Sequence, residues 1–471
     1  MMFETSLDDW DYGRALAELW RRSKYERGFI SDPFGGPQRA EQGLHRMRAL
    51  LAGLGDPHLR VPTVHIAGSK GKGSTGAFIA TVASQAGHRV GFYTSPHLHR
   101  FPERIAINGL PLTDDAFASE ARLVGLVADR LDASSSDEAQ VTTFEFITAM
   151  ACAAFARDAC DLAVIEVGLG GRYDSTNVVA PIVSVITRID LEHTGVLGFT
   201  YGEIAAQKAG ILRAGVPCVS SPQVSEADEV ITETAIEIGS PLQMGGRDWN
   251  WTGSWRSFTA TGPWGDWRDL ALGLPGPHQV ENACTALAAL HFVNASGLTI
   301  PEPAARSGLS GTLWPGRFEQ TMVDDRVLIL DAAHTPAAAA ALVSTWRELG
   351  ISSPATVILG MSADKDPKAF LEALRPLIGH LIATRADSPR AAETEAIFAI
   401  ASEMGIPSDM QPSVAGAVGT ALKSGDAPIL VTGSLFVVGE GREAIGLADP
   451  DPLWRALNDV NRARPQRCDR P

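Results

Sequence analysis

Val64-His65-Ile66-Ala67-Gly68-Ser69-Lys70-Gly71-Lys72-Gly73-Ser74-Thr75 runs from a short apolar strand, through a glycine-rich turn with two lysines, into the helix start Ala77-Phe78-Ile79-Ala80-Thr81-Val82-Ala83. Glycines let such a turn close tightly and let backbone approach a ligand. The N–H groups of the turn and of the helix N-terminus converge on one spot and attract an anion. Lys72 adds a positive charge there, and Ser74 or Thr75 a hydroxyl suited to a metal. The spelling differs from G-x-x-x-x-G-K-[ST], since here the order is Gly71-Lys72-Gly73-Ser74. An ordinary strand-to-helix loop is the competing reading. The strand before, the helix after and the Lys-Gly-Ser core favour a phosphate cradle.

Outward from this stretch, strand-like and helix-like segments alternate to about residue 220. Arg89 to Thr94, Leu162 to Val167, Ile182 to Ile186 and Val216 to Ser220 read as strands, and Glu145 to Ala156 and Tyr201 to Leu212 as helices. Before it, Trp10 to Arg27 and a stretch through Leu44, Met47, Leu50 and Leu51 read as helices, broken at Phe34-Gly35-Gly36-Pro37. Alternation predicts a mostly parallel sheet covered by helices, with ligands beyond the carboxyl ends of the strands. Polar groups follow those ends: Ser95, Glu166, then Asp190, Glu192 and His193. Glu166 reads as a metal ligand or a capping carboxylate, and His193 as a ligand or a satisfied loop residue. Lys208, on a helix among alanines, reads by itself as a surface lysine.

Residues 245–273 carry Trp249, Trp251, Trp255, Trp264 and Trp267 among Gly, Ser and Thr. Short hairpins are expected, with base stacking as the sharper alternative. Gln279 to Val293 reads as an alanine-rich helix, and Gly297 to Gly316 as a linker. A second α/β series follows, with strands at Val327 to Leu330, Ala355 to Leu359, Leu381 to Thr384 and Ile429 to Val431. The apolar run Pro428 to Val438 reads as one buried strand.

The chain has 471 residues, too many for one core, so two domains are the prior. The fold class is α/β: a mostly parallel, P-loop-type ATPase domain over residues 1–300, a linker over 301–316, and a smaller Rossmann-like domain over 317–471. A formal net charge of −15 argues against nucleic acid or an anionic membrane as partner. A small anionic substrate needs only a local positive site. Cys152, Cys160, Cys218, Cys284 and Cys468 are scattered with no C-x-x-C, which predicts reduced, buried thiols in the cytoplasm. No secretory signal is visible at the acidic N-terminus, and no run approaches the ~20 apolar residues of a spanning helix.

At this point the residues reach a family. HIAGSKGKGST, TSPHL with RFPERIAING, TTFEFITA, VIEVGLGGRYDSTNV, ITRIDLEHTGVLGFTYGEIAAQKAGI, PGPHQVENACTAL, WPGRFE, LDAAHTP and VTGSLFVVGE resemble, in order, the motifs of folylpolyglutamate synthase and dihydrofolate synthase, of the Mur ligase superfamily. The likeness spans about residues 40 to 440.

The resemblance implies an ATP- and Mg²⁺-dependent ligase that joins a folate or dihydropteroate carboxylate to the amine of L-glutamate through an acyl phosphate, acting as a cytoplasmic monomer. It implies that Lys70, Gly71, Lys72, Gly73 and Ser74 hold the triphosphate, and that Ser95, Glu166 and His193 are metal ligands. Lys208 matches a lysine that becomes carbamylated, which turns an ammonium into an anionic oxygen ligand. Asn282, Arg317 and Asp331 match nucleotide contacts, the last two from the linker and second domain. The pterin and its aryl carboxylate are assigned to Thr142, Thr143, Phe144, Glu145, Tyr173, Asp174 and Ser175, and glutamate or the transferred phosphate to His334 and Ser434. Catalytic roles fall to Lys72, Lys208, His193 and His334.

Three departures stand out. Ser69-Lys70 replaces the family's Thr-Asn, Ala332 and Thr335 replace Gly and Asn, and His45 stands where an acid is usual. Another Mur-type ligase with a different acceptor, or a nucleotide-binding regulator without ligase activity, are the rival expectations.

Overall fold

The computed structural model describes residues 10–23, 36–133, 140–352 and 354–453. Residues 24–27 of the expected first helix, Phe34 and Gly35 of the expected break, and Cys468 lie outside the described residues.

The first sheet has eight strands: β1 (Thr63–Ala67), β2 (Val90–Tyr93), β3 (Ile105–Ile107), β4 (Leu110–Pro111), β5 (Leu162–Glu166), β6 (Pro181–Ile186), β7 (Cys218–Ser220) and β8 (Leu242–Met244). Their order is β4-β3-β2-β5-β1-β6-β7-β8. From β2 to β8 all pairings are parallel, and β3 and β4 add an antiparallel edge. β1 and β5 are buried at every residue, as strands covered on both faces must be. The helices Lys72–Gln85 and Pro277–Ala295 pack on one face, and Tyr12–Arg21, Pro37–Gly53, Asp114–Ala133 and Thr143–Arg157 on the other. β1 lies at the centre, between β5 and β6, so the loops leaving these three strands meet at one edge.

The tryptophan-rich stretch forms an antiparallel sheet of β9 (Asn250–Ser254), β10 (Ser257–Gly262) and β11 (Gly265–Leu270). Trp249 is 2% exposed, and Trp251, Trp255, Trp264 and Trp267 pack against the core of the first sheet. They pack against apolar side chains, and the hairpin expectation holds.

The second sheet contains β12 (Glu319–Val323), β13 (Arg326–Asp331), β14 (Ala355–Leu359), β15 (Ile378–Ala383), β16 (Ser408–Met410) and β17 (Ile429–Thr432), in the order β12-β13-β17-β14-β15-β16. Only β12 is antiparallel to its neighbour. Trp346 is fully buried against Phe318, ring centroids 6.3 Å apart. Trp346→Ala is expected to remove about 3–5 kcal/mol of stability, read as a lower urea midpoint for unfolding of this part of the chain.

Three expectations change. The stretch 301–316 is not all linker: Glu302–Gly311 is a helix packed on Lys72–Gln85. Its prolines fall at the first turn, where the missing N–H is harmless, and Ala304, Ala305, Gly308 and Leu309 form its buried face. Gly308 lets the two helices touch, since a Cβ there would lie 2.6 Å from Val82 Cα. The apolar run 428–438 is two elements, β17 and the start of the helix Leu435–Ala444, divided at Gly433 (φ +101°). The helix carrying Lys208 ends at Ala209, and Gly210 is its C-terminal cap. Among the described residues, no helix is long and apolar enough to cross a membrane. Cys152, Cys160, Cys218 and Cys284 are buried free thiols.

Candidate active site

The site forms where the central strands end. Register places Ile66 of β1 beside Glu166 of β5, and Ala67 beside Ile186 of β6. The chain then turns at Gly68 (φ +149°) and Gly71 (φ +88°) before the helix Lys72–Gln85 begins. Both glycines are required sterically. A Cβ on Gly68 would collide with the Thr187 hydroxyl, and one on Gly71 with Asn282 Oδ1. Asn282 thereby lies against the loop, its amide donating to Gln279 Oε1 at 2.9 Å.

The backbone of the loop divides into two roles. Ser69 and Lys70 N–H both donate to Arg188 O at 3.0 Å, which ties the loop to the chain leaving β6. The N–H groups of Lys72, Gly73 and Ser74, in the first helical turn, have no carbonyl one turn back and are the anion-facing donors. Trp314 covers the loop from the side, so that a Cβ on Gly73 would sit 3.2 Å from its Nε1.

Two ammonium groups converge on one carbonyl. Lys72 Nζ lies 3.1 Å and Lys208 Nζ 2.8 Å from Gly68 O. Lys208 is 4% exposed, so it is not the surface residue that its helix alone implied. Burial, and after it the charge of Lys72, push its amine down to about 7. These groups line a small cavity with Ser69, the 167–170 loop, Glu192 and His193.

Glu166 is 5% exposed, and burial raises its carboxyl against the pull of Lys72, whose Nζ is 3.9 Å from Oε1. Its Oε2 accepts from the Thr94 hydroxyl and from Ser95 N–H at 3.4 Å. Ser95 is half-buried beside it. His193 adopts a left-handed conformation (φ 54°) ahead of the short helix Thr194–Leu197. Enclosure by the surrounding chain and the charges of Lys365, Lys72 and Lys208 push its imidazole down to about 4, against Glu192, while part of the ring stays exposed.

The second sheet delivers its own groups to this edge. Asp331 pairs with Thr432 in register, so the loops after β13 and β17 are neighbours. The Asp331 carboxylate accepts from Phe318 N–H and Ala333 N–H, each at 2.8 Å, and fixes the turn that carries Arg317 and His334. Arg317 is half-buried, and its charge acts on both Asp331 and Glu166, one in each sheet. His334 Nε2 lies 3.2 Å from Glu192 Oε1. Ser434 is 9% exposed and caps Leu435–Ala444 through Phe436 N–H.

The residues assigned to the pterin divide. Thr143 turns inward and donates to Leu19 O at 2.8 Å. Both Glu145 oxygens are engaged, by Arg46 at 2.7 and 2.9 Å and by Thr142 N–H at 2.8 Å. Asp174 is 3% exposed, one oxygen taking Thr176 N–H and hydroxyl and the other Leu169 N–H. The polar groups of these three are engaged within the chain. Thr142, Phe144, Tyr173 and Ser175 remain half-buried, and Phe144 lies over Gly168, where no side chain fits. His45 is exposed. Trp314, which stands in the motif WPGRFE, and the pairing of Glu192 with Lys70 and His334 were not foreseen, although each of those three residues was singled out alone.

A phosphate loop at the central edge of one parallel sheet, faced by an arginine, an aspartate and a histidine from a second, defines a Mur-type ligase. Residues 66–290 match the family described as Mur ligase, middle domain, and residues 316–435 the one described as Mur ligase, glutamate ligase domain. The chain is 34% identical to folylpolyglutamate synthase of Lacticaseibacillus casei, over 87% of this chain and 96% of that one. It is 33% identical to dihydrofolate synthase/folylpolyglutamate synthase of Bacillus subtilis (strain 168), over 86% and 95%. The structure of Mycobacterium tuberculosis folylpolyglutamate synthase complexed with ADP superposes with a TM-score of 0.83 at 31% identity, over 93% of this chain and 100% of that one. The chain belongs to the folylpolyglutamate synthase/dihydrofolate synthase family of ATP-dependent ligases.

Proposed function

We infer that this chain forms an amide between a folate or dihydropteroate carboxylate and the amine of L-glutamate, driven by ATP, as a cytoplasmic monomer of two domains joined near residues 312–318. The observation that carries this reading is the convergence of Lys72, Lys208, Glu166 and Glu192 about the Gly68 turn, with His334 facing them from the second sheet. The four described cysteines are free, which suits a reducing compartment.

A carboxylate is a poor acyl donor because oxide leaves badly. Transfer of the γ-phosphoryl group makes phosphate the leaving group, and the glutamate amine then displaces it. Phosphoryl transfer is mostly positioning and charge neutralisation. Here the N–H groups of Lys72, Gly73 and Ser74 and the Lys72 ammonium take the phosphate oxygens. Lys70 lies on the same loop, and Asn282 and Arg317 flank the nucleotide while Asp331 fixes the turn that brings Arg317 in. Thr142, Phe144, Tyr173 and Ser175 present the half-buried surface to the pterin and aryl group. Ser434 heads a helix whose N-terminus suits the glutamate carboxylate.

The donors near the loop fit a Mg²⁺ ion. Glu166 offers Oε1, Ser95 a hydroxyl and His193 an imidazole kept neutral by its low pKa. One carboxylate and few other protein ligands leave positions for water and phosphate oxygens, which is the usual Mg²⁺ arrangement. Bound there, the ion would neutralise charge on the phosphate oxygens. Lys208, with its amine at about 7, holds a large neutral fraction at physiological pH. A neutral amine is the form that adds CO₂ to give a carbamate.

Mass spectrometry of products tests the reading. Dihydropteroate and tetrahydrofolate, each with glutamate and ATP, are expected to give at least one glutamate adduct with matching ADP. Ligation of other carboxylate–amine pairs in place of both, or no ADP formation with any pair, overturns it.

A further inference from the structure

Lys70 takes no obvious place in a phosphate cradle, and the structure gives it a partner. Its Nζ donates to Glu192 Oε2 at 2.9 Å. The other oxygen of the same carboxylate faces His334 Nε2 at 3.2 Å, and His334 Nδ1 is 2.9 Å from Ala332 O. Both ring nitrogens therefore lie within hydrogen-bond distance of an oxygen. The Glu192 side chain is 11% exposed. Although burial opposes it, the His334 hydrogen bond and the Lys70 charge hold its carboxyl well below the usual carboxylate range.

The three residues come from three different loops: Lys70 after β1, Glu192 after β6 and His334 after β13. The first two belong to the ATPase sheet and the third to the other sheet. Glu192 also lines the cavity that holds Lys72, His193 and Lys208. The two parts of the chain also meet where His99 faces Arg442 and Glu443, and where the helices Pro277–Ala295 and Pro336–Glu348 pack together. A neutral Asn at position 70 would be too short and uncharged to bring a carboxylate into such a bridge.

We propose that Glu192 is a positioning residue that clamps the His334 loop of the second sheet onto the phosphate loop through Lys70, and so holds the cleft closed over the reacting phosphate. Closure matters because an acyl phosphate exposed to water hydrolyses before the amine reaches it. A part-buried carboxylate shared between the Lys70 ammonium and a second hydrogen-bond partner resists loss of either, since the groups that remain are left without compensation.

The test uses Glu192→Gln, Lys70→Asn and the double variant, with circular dichroism to confirm that each is folded. By small-angle scattering, each variant without ligands is expected to be more open than the parent, with a larger radius of gyration. ADP formed per amide is expected to rise from near one to several, with the KM for glutamate raised about tenfold and, in Glu192→Gln, ADP affinity nearly unchanged. The double variant should match Glu192→Gln alone, because both remove one bridge. The kinetic arm rests on the ligase reading, whereas the scattering arm does not. Unchanged scattering in all three overturns the clamp, as does a fall in ADP affinity in Glu192→Gln equal to that for glutamate. Opening of the variants when the parent shows no folate- and glutamate-dependent turnover upholds the clamp and overturns the ligase reading instead.

Discussion

Lys72→Ala is expected to lower kcat/KM for ligation by about 10³-fold or more, measured as ADP formation dependent on both the folate substrate and glutamate. The side chain lies at the helix N-terminus and near the Glu166 carboxylate, 3.9 Å away. It stands 3.1 Å from Gly68 O and lines the cavity it shares with Lys208. Its loss removes a charge that grows in importance as the γ-phosphoryl group is transferred, so kcat should fall further than ATP affinity. Lys72→Arg should restore little. The guanidinium is larger and planar, and it does not reproduce the point charge that the Lys72 ammonium places 3.1 Å from Gly68 O. An arginine variant with more than a tenth of parental activity would remove the geometric part of the argument.

Lys208→Ala is expected to lower kcat by about 10²-fold or more, with no recovery on adding bicarbonate, because alanine has no amine to carbamylate. The paired prediction concerns stability and runs the other way. In the unfolded chain the Lys208 amine titrates near 10.5, and in the folded chain at about 7. Between those values the unfolded state binds a proton that the folded state does not. Stability therefore falls as pH drops through that window, and the penalty is fully present below about pH 7. Lys208→Met removes the buried charge and keeps most of the volume. In CO₂-free buffer it should be more stable than the parent by about 1–2 kcal/mol at pH 7, with the difference vanishing above pH 10.5. Equal melting temperatures at pH 7 and pH 10.5 would show that the amine is not strained by its burial.

Local pattern carried much of this protein. The apolar run into Gly68-Ser69-Lys70-Gly71-Lys72 marked strand, turn and helix because glycine is the residue that accepts φ +88° at Gly71 and the contact with Thr187 at Gly68. The uniform apolar strands marked a parallel sheet, and the polar residues after them marked its carboxyl edge. Glycine and proline counts failed at 302–311, because a helix packed edge-on through Gly308 needs the small residues that a linker also contains.

The sequence by itself determined the α/β class and the family, since both depend on residue type and short-range order. Tertiary structure decided what the individual residues do to one another. It buried Lys208 and pulled its amine toward 7, and it tied Thr143, Glu145 and Asp174 into hydrogen bonds within the chain. It also joined Lys70 to His334 through Glu192, across 264 positions of chain from loop to loop. Burial and charge pairing belong to groups brought together by the order of strands in two sheets, and that order is set by packing over the whole chain, which no short stretch of sequence contains.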